Sequence, residues 1–92
     1  MIKTFADKDT AALFEGKKVR AFVNFAGPAR RKLEALDAAT DVTDLRVPPG
    51  NRLERLHGDR EGQFSIRVNG QYRVCFVWVD GHAHNVEITD YH

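Results

Sequence analysis

Hydrophobic and polar residues alternate along the second half of the chain. Such alternation is typical of β-strands with one buried face, because successive side chains of a strand point to opposite sides. Between the last three alternating runs stand Asn69-Gly70 and Asp80-Gly81, dipeptides that are typical of hairpin turns. Consecutive strands joined by tight turns form an antiparallel meander. We therefore predict four strands, in "RLERLHG", "GQFSIRVN", "YRVCFVWV" and "AHNVEITDY".

The bulky residues of these strands have even numbers, so they share one face of the sheet. A two-residue turn would reverse this parity, and we therefore predict bulged turns of about three residues at both hairpins. The even-numbered face should be the core, and the odd-numbered face should be open. The open face would carry Ser65, Arg67, Arg73, Asn85, Glu87, Thr89 and Tyr91, with Cys75 and Val77 near its centre.

The first half of the chain has a helical pattern. "MIKTF" predicts a short first strand, and "DTAALFEG" a short helix capped by Asp9 or Thr10. "GPARRKLEALDAA" predicts a second helix with Leu33 and Leu36 on its apolar stripe, and "DVTDLRVPPGN" a loop. The expected fold class is α+β, with two N-terminal helices packed on one face of a small, mainly antiparallel twisted sheet. Residues 1–92 should form one domain.

Charge is segregated along the chain, although the formal net charge is only +1. A helix N-terminus disfavours cations, so local helix energetics do not explain the arginines and lysine that follow Pro28. One explanation is that the helix begins upstream near Val19, which would place these cations in its middle. Another is that the N-terminal end of the helix contacts an anionic surface. The simpler alternative is that these cations form an ordinary solvated helix face. The basic block, which has no acidic residue between positions 17 and 33, consists of Lys17, Lys18, Arg20, Arg30, Arg31 and Lys32.

Two further stretches combine groups that bind phosphate with groups that transfer protons. "VEITDYH" ends in an acid, a phenol and an imidazole, and Arg73 begins the strand expected to pair with it. "RLERLHGDREG" is dense in arginines and acids, and a charged edge strand is its simpler interpretation. Together they fit metal-free RNA cleavage, in which a base, an acid and phosphate-binding cations suffice. The candidate catalytic residues are Arg73, Asp90, Tyr91, His92 and His57, with Arg55, Arg60 and Arg67 as phosphate ligands.

The sequence resembles the HigB toxins of the RelE/HigB ribonuclease superfamily over nearly its whole length. The stretches that carry the resemblance are "LERLHGDREGQFSIRVN", "YRVCFVWVDG", "VEITDYH", "MIKTF" and "DAAT". The resemblance implies cleavage of messenger RNA in the ribosomal A site, neutralisation by a HigA-type helix-turn-helix antitoxin, and contact with operator DNA only through that complex. It also implies that Arg73 holds the phosphate and that Asp90, Tyr91 and His92 form the functional end.

The resemblance leaves the role of His57 open, because close members have a lysine there and others have a histidine at the position of Glu54. His57 would replace the lysine as a cation or act as an acid–base group. The superfamily's gyrase-poisoning ParE branch lacks the acid-Tyr-His end, so this end favours cleavage. A non-catalytic binder of gyrase, antitoxin or nucleic acid is the alternative function.

Other classes of protein have little support in the sequence. The histidines lack partners at zinc spacing, and no cofactor motif is present, so we expect neither a metal nor a cofactor. Cys75 is the only cysteine and lies in a predicted strand, which indicates a buried reduced thiol. There is neither a membrane-length apolar run nor a signal-peptide core. We expect a cytoplasmic location and no membrane partner.

Overall fold

The computed structural model describes residues 1–90. Its helices and strands are α1 (Lys8–Phe14), α2 (Ala26–Ala38), β1 (Glu54–Arg55), β2 (Gln63–Arg67), β3 (Tyr72–Val79) and β4 (His82–Asp90). All four predicted strand segments contribute to one antiparallel sheet in the order β1-β2-β3-β4, which confirms the meander and the α+β class. The helices α1 and α2 both contact this sheet.

The core lies between the helices and the even-numbered face of the sheet, as the alternation predicts. Leu13, Leu33 and Leu36 of the helices are fully buried, as are Val74 and Phe76 of β3. Burial of each such side chain contributes about 1.5 to 3 kcal/mol relative to exposure. The packing of the helical layer therefore fixes which face of the sheet remains accessible to a ligand.

The prediction of bulged turns is confirmed at one hairpin and wrong at the other. Between β2 and β3 the amide groups of Val68 and Asn69 both donate to the carbonyl of Tyr72, which closes a three-residue bulged loop. Between β3 and β4, however, Val79 pairs with His82, so the turn has only two residues. Both of these, Asp80 and Gly81, have positive φ angles (52° and 80°), as a type I′ turn requires.

A β-bulge inside β4 restores the parity that the two-residue turn reverses. Val77 pairs with His84 and Cys75 pairs with Glu87, so two residues of β4 lie opposite Phe76 alone. The inserted residue is Asn85, whose φ of 53° is the left-handed conformation that asparagine tolerates better than most residues. Alternation predicted the correct faces, but it could not indicate where the extra residue lies.

The N-terminal segment is less regular than predicted. Instead of a strand, the segment "MIKTF" makes two isolated parallel bridges to β4, from Ile2 to Ala83 and from Phe5 to Val86. It therefore covers part of the outer edge of β4. The helix that follows is capped by Asp7, whose carboxylate accepts from the amide of Thr10 at 2.7 Å, rather than by Asp9 or Thr10.

The helical path toward α2 begins upstream of the predicted start. A 3₁₀ turn, Arg20–Phe25, leads directly into Ala26, so Arg30, Arg31 and Lys32 lie beyond the first turn of α2. The unfavourable effect of the helix dipole on cations falls off within that first turn. Two more 3₁₀ turns, Val42–Arg46 and Pro49–Asn51, occupy the predicted loop. No helix in the described part of the chain is long and apolar enough to cross a membrane.

Thr10 joins α1 to the edge of β4, and this contact gives a first test of the fold. Its buried hydroxyl accepts from the amide of Ile88 at 3.1 Å. Thr10→Val keeps the shape but leaves that amide without a partner, and we expect it to lower the free energy of unfolding by about 1 to 3 kcal/mol in urea denaturation.

Thr10→Ser is the matched control, because it keeps the hydroxyl and removes only a methyl group. Hydrogen exchange at the Ile88 amide should stay slow in Thr10→Ser and become fast in Thr10→Val. Equal protection in both variants would contradict the role assigned to the hydroxyl.

Candidate active site

Arg73 is firmly held on the odd-numbered face of the sheet. Its Nε donates to the hydroxyl of Ser65 at 2.7 Å, and its Nη2 donates to the carbonyl of Arg52 at 2.6 Å. The Glu54 carboxylate lies 4.0 Å from Nη2, and the side chain of Arg73 is only 12% exposed. A guanidinium anchored on three sides in this way presents its remaining nitrogen in a fixed direction.

Arg73 borders a cleft of about 290 Å³ that is strongly positive. Arg67 pairs directly with Arg73 across β2 and β3, an arrangement of like charges that costs stability unless an anion lies nearby. Among residues 1–90, three arginines and one carboxylate line the cleft, so this part of the lining favours an anionic ligand. Its lining residues are Arg52, Glu54, Arg67, Asn69, Gly70, Gln71 and Arg73.

Asp90 reaches this cleft indirectly. The register pairs Asp90 with Tyr72 and pairs Thr89 with Arg73, so Asp90 leaves the sheet on the side of the helices. Its Oδ2 accepts from Nε2 of Gln71, a residue of the cleft, at 2.9 Å. The predicted catalytic residues Tyr91 and His92 lie outside the described residues.

His57 and Arg55 lie at a second cleft rather than beside Arg73. This cleft has a volume of about 420 Å³, and Glu61, Gly62 and Phe64 also line it. The Arg55 guanidinium stands 5.4 Å from the centre of the Phe64 ring, a cation–π contact. Neighbouring residues of a strand point to opposite sides, so β1 contributes to both clefts. Glu54 lines the cleft of Arg73, and Arg55 lines the second cleft.

Arg60 is engaged by other side chains. Its Nη1 donates to Glu87 at 3.1 Å and to Gln63 at 3.2 Å, which ties the turn after β1 to β4. This turn contributes to the cover over the odd-numbered face, where Cys75 is buried. Burial raises the pKa of the Cys75 thiol, although Arg60 opposes that shift, so Cys75 is not a thiolate at neutral pH.

The basic block divides into structural and exposed residues. Arg30 donates from Nε to the carbonyl of Leu13 at 3.1 Å, and this carbonyl at the end of α1 also accepts from the amide of Gly16 at 3.0 Å. Lys32 donates to the side chain of Asn51, which is itself buried and bonded to the carbonyls of Leu45 and Val47. The remaining four, namely Lys17, Lys18, Arg20 and Arg31, are exposed, and Lys17 pairs with Glu15.

A metal site does not emerge from the described residues. His82 and His84 lie on the same side of β4, in register with Val79 and Val77. Within residues 1–90 there is no group of three or more His, Cys, Asp or Glu side chains able to hold a metal ion.

Comparison with known proteins identifies the family. A family model described as "RelE-like toxin of type II toxin-antitoxin system HigB" matches residues 3–92. The chain belongs to this HigB-like toxin family. The resemblance predicted from the sequence is therefore confirmed.

Relatives of the HigB-like chain agree with this assignment. It is 47% identical to Toxin HigB-1 of Vibrio cholerae serotype O1 over 87 residues, which cover 92% of each protein. It is 37% identical to the Endoribonuclease HigB of Proteus vulgaris over 94 residues, which cover both proteins completely.

Solved structures share the fold of the HigB-like chain. Two structures of the YoeB-YefM complex from Staphylococcus aureus match it with TM-scores of 0.63 and 0.61, at 16% and 14% identity. In each case the match covers all of this chain and 98% of the other. This likeness supports the RelE-like fold.

Sequence reasoning did not assign a role to three residues that the geometry places around Arg73: Ser65, Glu54 and Gln71. Alternation did place Ser65 on the same face as Arg73, and the position of Glu54 in a strand opposite Ser65 could have indicated a carboxylate nearby. The contact from Gln71 to Asp90 depends on the shape of a turn and has no signal in the sequence.

The different roles within the basic block give a second test. Arg30→Ala should lower the free energy of unfolding by about 1 to 2 kcal/mol, because the Leu13 carbonyl loses a charged donor. The adjacent Arg31→Ala should change it by less than about 0.5 kcal/mol, because Arg31 is exposed. Chemical denaturation of the two variants side by side measures the difference, and equal losses would contradict the capping role.

Proposed function

We propose that this HigB-like toxin is a ribosome-dependent endoribonuclease that cleaves messenger RNA in the A site. The observation that carries the proposal is the positive cleft in which Arg73 is anchored beside Arg67 and the Glu54 carboxylate. The name of the Proteus vulgaris relative, Endoribonuclease HigB, supports the same activity. The dimensions of the cleft suit a phosphodiester and its ribose rather than a large cofactor.

In the proposed reaction the ribose 2′-oxygen attacks the adjacent phosphorus in line and the bond to the 5′-oxygen breaks. The products are a cyclic phosphate and a 5′-hydroxyl. Arg73 and Arg67 would hold the phosphoryl oxygens and offset the negative charge that develops in the transition state. This charge stabilisation needs no metal, since guanidinium groups supply it.

Proton transfer requires one group that accepts the 2′-proton and one that protonates the leaving oxygen. Glu54 is the only carboxylate lining the cleft within the described residues, which makes it a candidate base. We assign Asp90 and His92 to proton transfer as well, with Tyr91 orienting or stacking on a base and His57 in a supporting role. Gln71, which lines the cleft, donates to the Asp90 carboxylate and would align it.

The partners follow from the same assignment. We propose that a HigA-type antitoxin neutralises the toxin and that operator DNA is contacted only through their complex; the YoeB-YefM structures are toxin–antitoxin complexes of proteins with this fold. The exposed cations Lys17, Lys18, Arg20 and Arg31 are proposed to contact ribosomal RNA. Arg30, Lys32 and Arg60 would contribute to RNA binding only through charge, because each has a partner within the chain.

Loss of the anchored cation is the main test of this function. We expect Arg73→Ala and His92→Ala each to reduce cleavage by about 10² to 10³, because each removes a group that acts in the transition state. The measurement is tightly controlled expression followed by primer extension, which maps the 5′ ends of cellular messages. Arg46→Ala removes an exposed arginine outside both clefts and is the matched control.

The outcomes separate the alternatives. Cuts that persist undiminished in Arg73→Ala and His92→Ala would refute the site assignment. Growth arrest by the wild-type protein without any cuts would support the non-catalytic, gyrase-type alternative.

Glu54→Gln tests the proposed base. It should reduce the rate of cleavage by about 10² to 10⁴ while leaving ribosome binding equal or tighter, because a negative charge is removed from a phosphate site. Single-turnover cleavage and ribosome binding are measured on the same preparation. Glu61→Gln neutralises an exposed carboxylate at the neighbouring cleft and serves as the control; equal rates in the two variants would exclude Glu54 as the base.

A further inference from the structure

Ser65 occupies an unusual position for a polar residue. It lies in the middle of β2, is fully buried, and pairs with Glu54 on one side and with Cys75 on the other. A small hydroxyl at such a place is not needed to fill the sheet, since alanine or valine would also fit the strand. Its oxygen must therefore be explained by what it binds.

Ser65 binds Arg73 twice. The hydroxyl accepts from Nε at 2.7 Å, and the Ser65 carbonyl accepts from Nη2 at 3.4 Å. Nη2 also donates to the Arg52 carbonyl at 2.6 Å, while Nη1 has no hydrogen bond to any residue between 1 and 90. These bonds fix both the position and the plane of the guanidinium, so Nη1 is the nitrogen left to meet a ligand.

We propose that Ser65 is a positioning residue for cleavage, acting by holding the Arg73 guanidinium in the orientation that receives the scissile phosphate. This inference rests on the proposed function. Without the hydroxyl, Nε loses its acceptor and the guanidinium can rotate about its last side-chain bond. A displacement of about 1 Å at a reacting centre can cost on the order of 10²-fold in rate, even when the substrate still binds.

The same geometry explains why the hydrogen-bond acceptor of Arg73 Nε is a residue of β2. Arg67 lies opposite Arg73 and repels it, while Glu54 is half-exposed and 4.0 Å away. A flexible ion pair alone would let the two guanidinium groups move apart. The short bond to a buried hydroxyl on a rigid strand prevents that movement and keeps both cations at the cleft.

Ser65→Ala is the direct test. We expect single-turnover cleavage to fall by about 10- to 100-fold per folded molecule, with little change in ribosome binding. In an Arg73→Ala background the same substitution should cause no further loss, because Ser65 acts through Arg73. A further loss of equal size in that background, or an unchanged rate in Ser65→Ala alone, would overturn the proposal.

Two variants keep the test decisive if alanine disturbs the fold. Ser65→Thr retains the hydroxyl and should recover most of the rate, which a merely structural role for a small side chain would not predict. Thr89→Val removes a hydroxyl from the residue that pairs with Arg73 on the opposite side, and it should leave the rate unchanged. Loss in Thr89→Val equal to that in Ser65→Ala would contradict a specific role for Ser65.

A spectroscopic measurement separates this proposal from the proposed function. The Nε–H signal of Arg73 should be protected from hydrogen exchange in the wild type and in Ser65→Thr, and unprotected in Ser65→Ala. Titration with inorganic phosphate should shift this signal in the wild type. If the wild type does not cleave RNA but keeps this protection, the proposed function fails while the anchoring of the Arg73 guanidinium by Ser65 stands. An unprotected signal in the wild type overturns the anchoring, and with it the positioning role.

Discussion

One extra residue in β4 decides which side chains in the second half of that strand are buried beneath the helices. Asn85 adopts a left-handed conformation and inserts a bulge opposite Phe76, which reverses the parity of everything that follows it. Without the bulge, Val86 and Ile88 would face the open side, and Glu87 and Thr89 would point into the core. The apolar part that β4 contributes to the core therefore depends on this backbone irregularity.

The period of the hydrophobic pattern was enough to predict the buried face, because a sheet covered on one side enforces strict alternation. It was not enough to locate the compensating residue. A bulged turn and a bulge within a strand put the residues that follow on the same faces of the sheet. Only the pairing of Val79 with His82 shows that the turn itself is tight and that the extra residue lies within β4. Short elements were also poorly predicted: β1 has two residues, and the N-terminal segment forms bridges rather than a strand.

Residue type and parity predicted the central cation of the candidate site, but not its surroundings. Arg73 was identifiable from its residue type, its face and its likeness to a family pattern. Its acceptors were not, because the Arg52 carbonyl is 21 residues away in sequence and has no side-chain signature. The run of cations predicted a binding surface at Arg30 and Lys32, and it could not indicate that both side chains also have hydrogen-bond partners within the fold.

The parallel contact between the N-terminal segment and β4 has a practical consequence for work with this protein. Because Ile2 pairs with Ala83, Met1 lies beside the start of β4, and Asp90 lies at its other end. Seven to eight residues of strand separate these points, a distance of roughly 25 Å. An affinity tag or fluorescent label fused ahead of Met1 is thus held well away from the arginine cleft, whereas the same fusion after position 92 would be tethered next to the groups proposed to react.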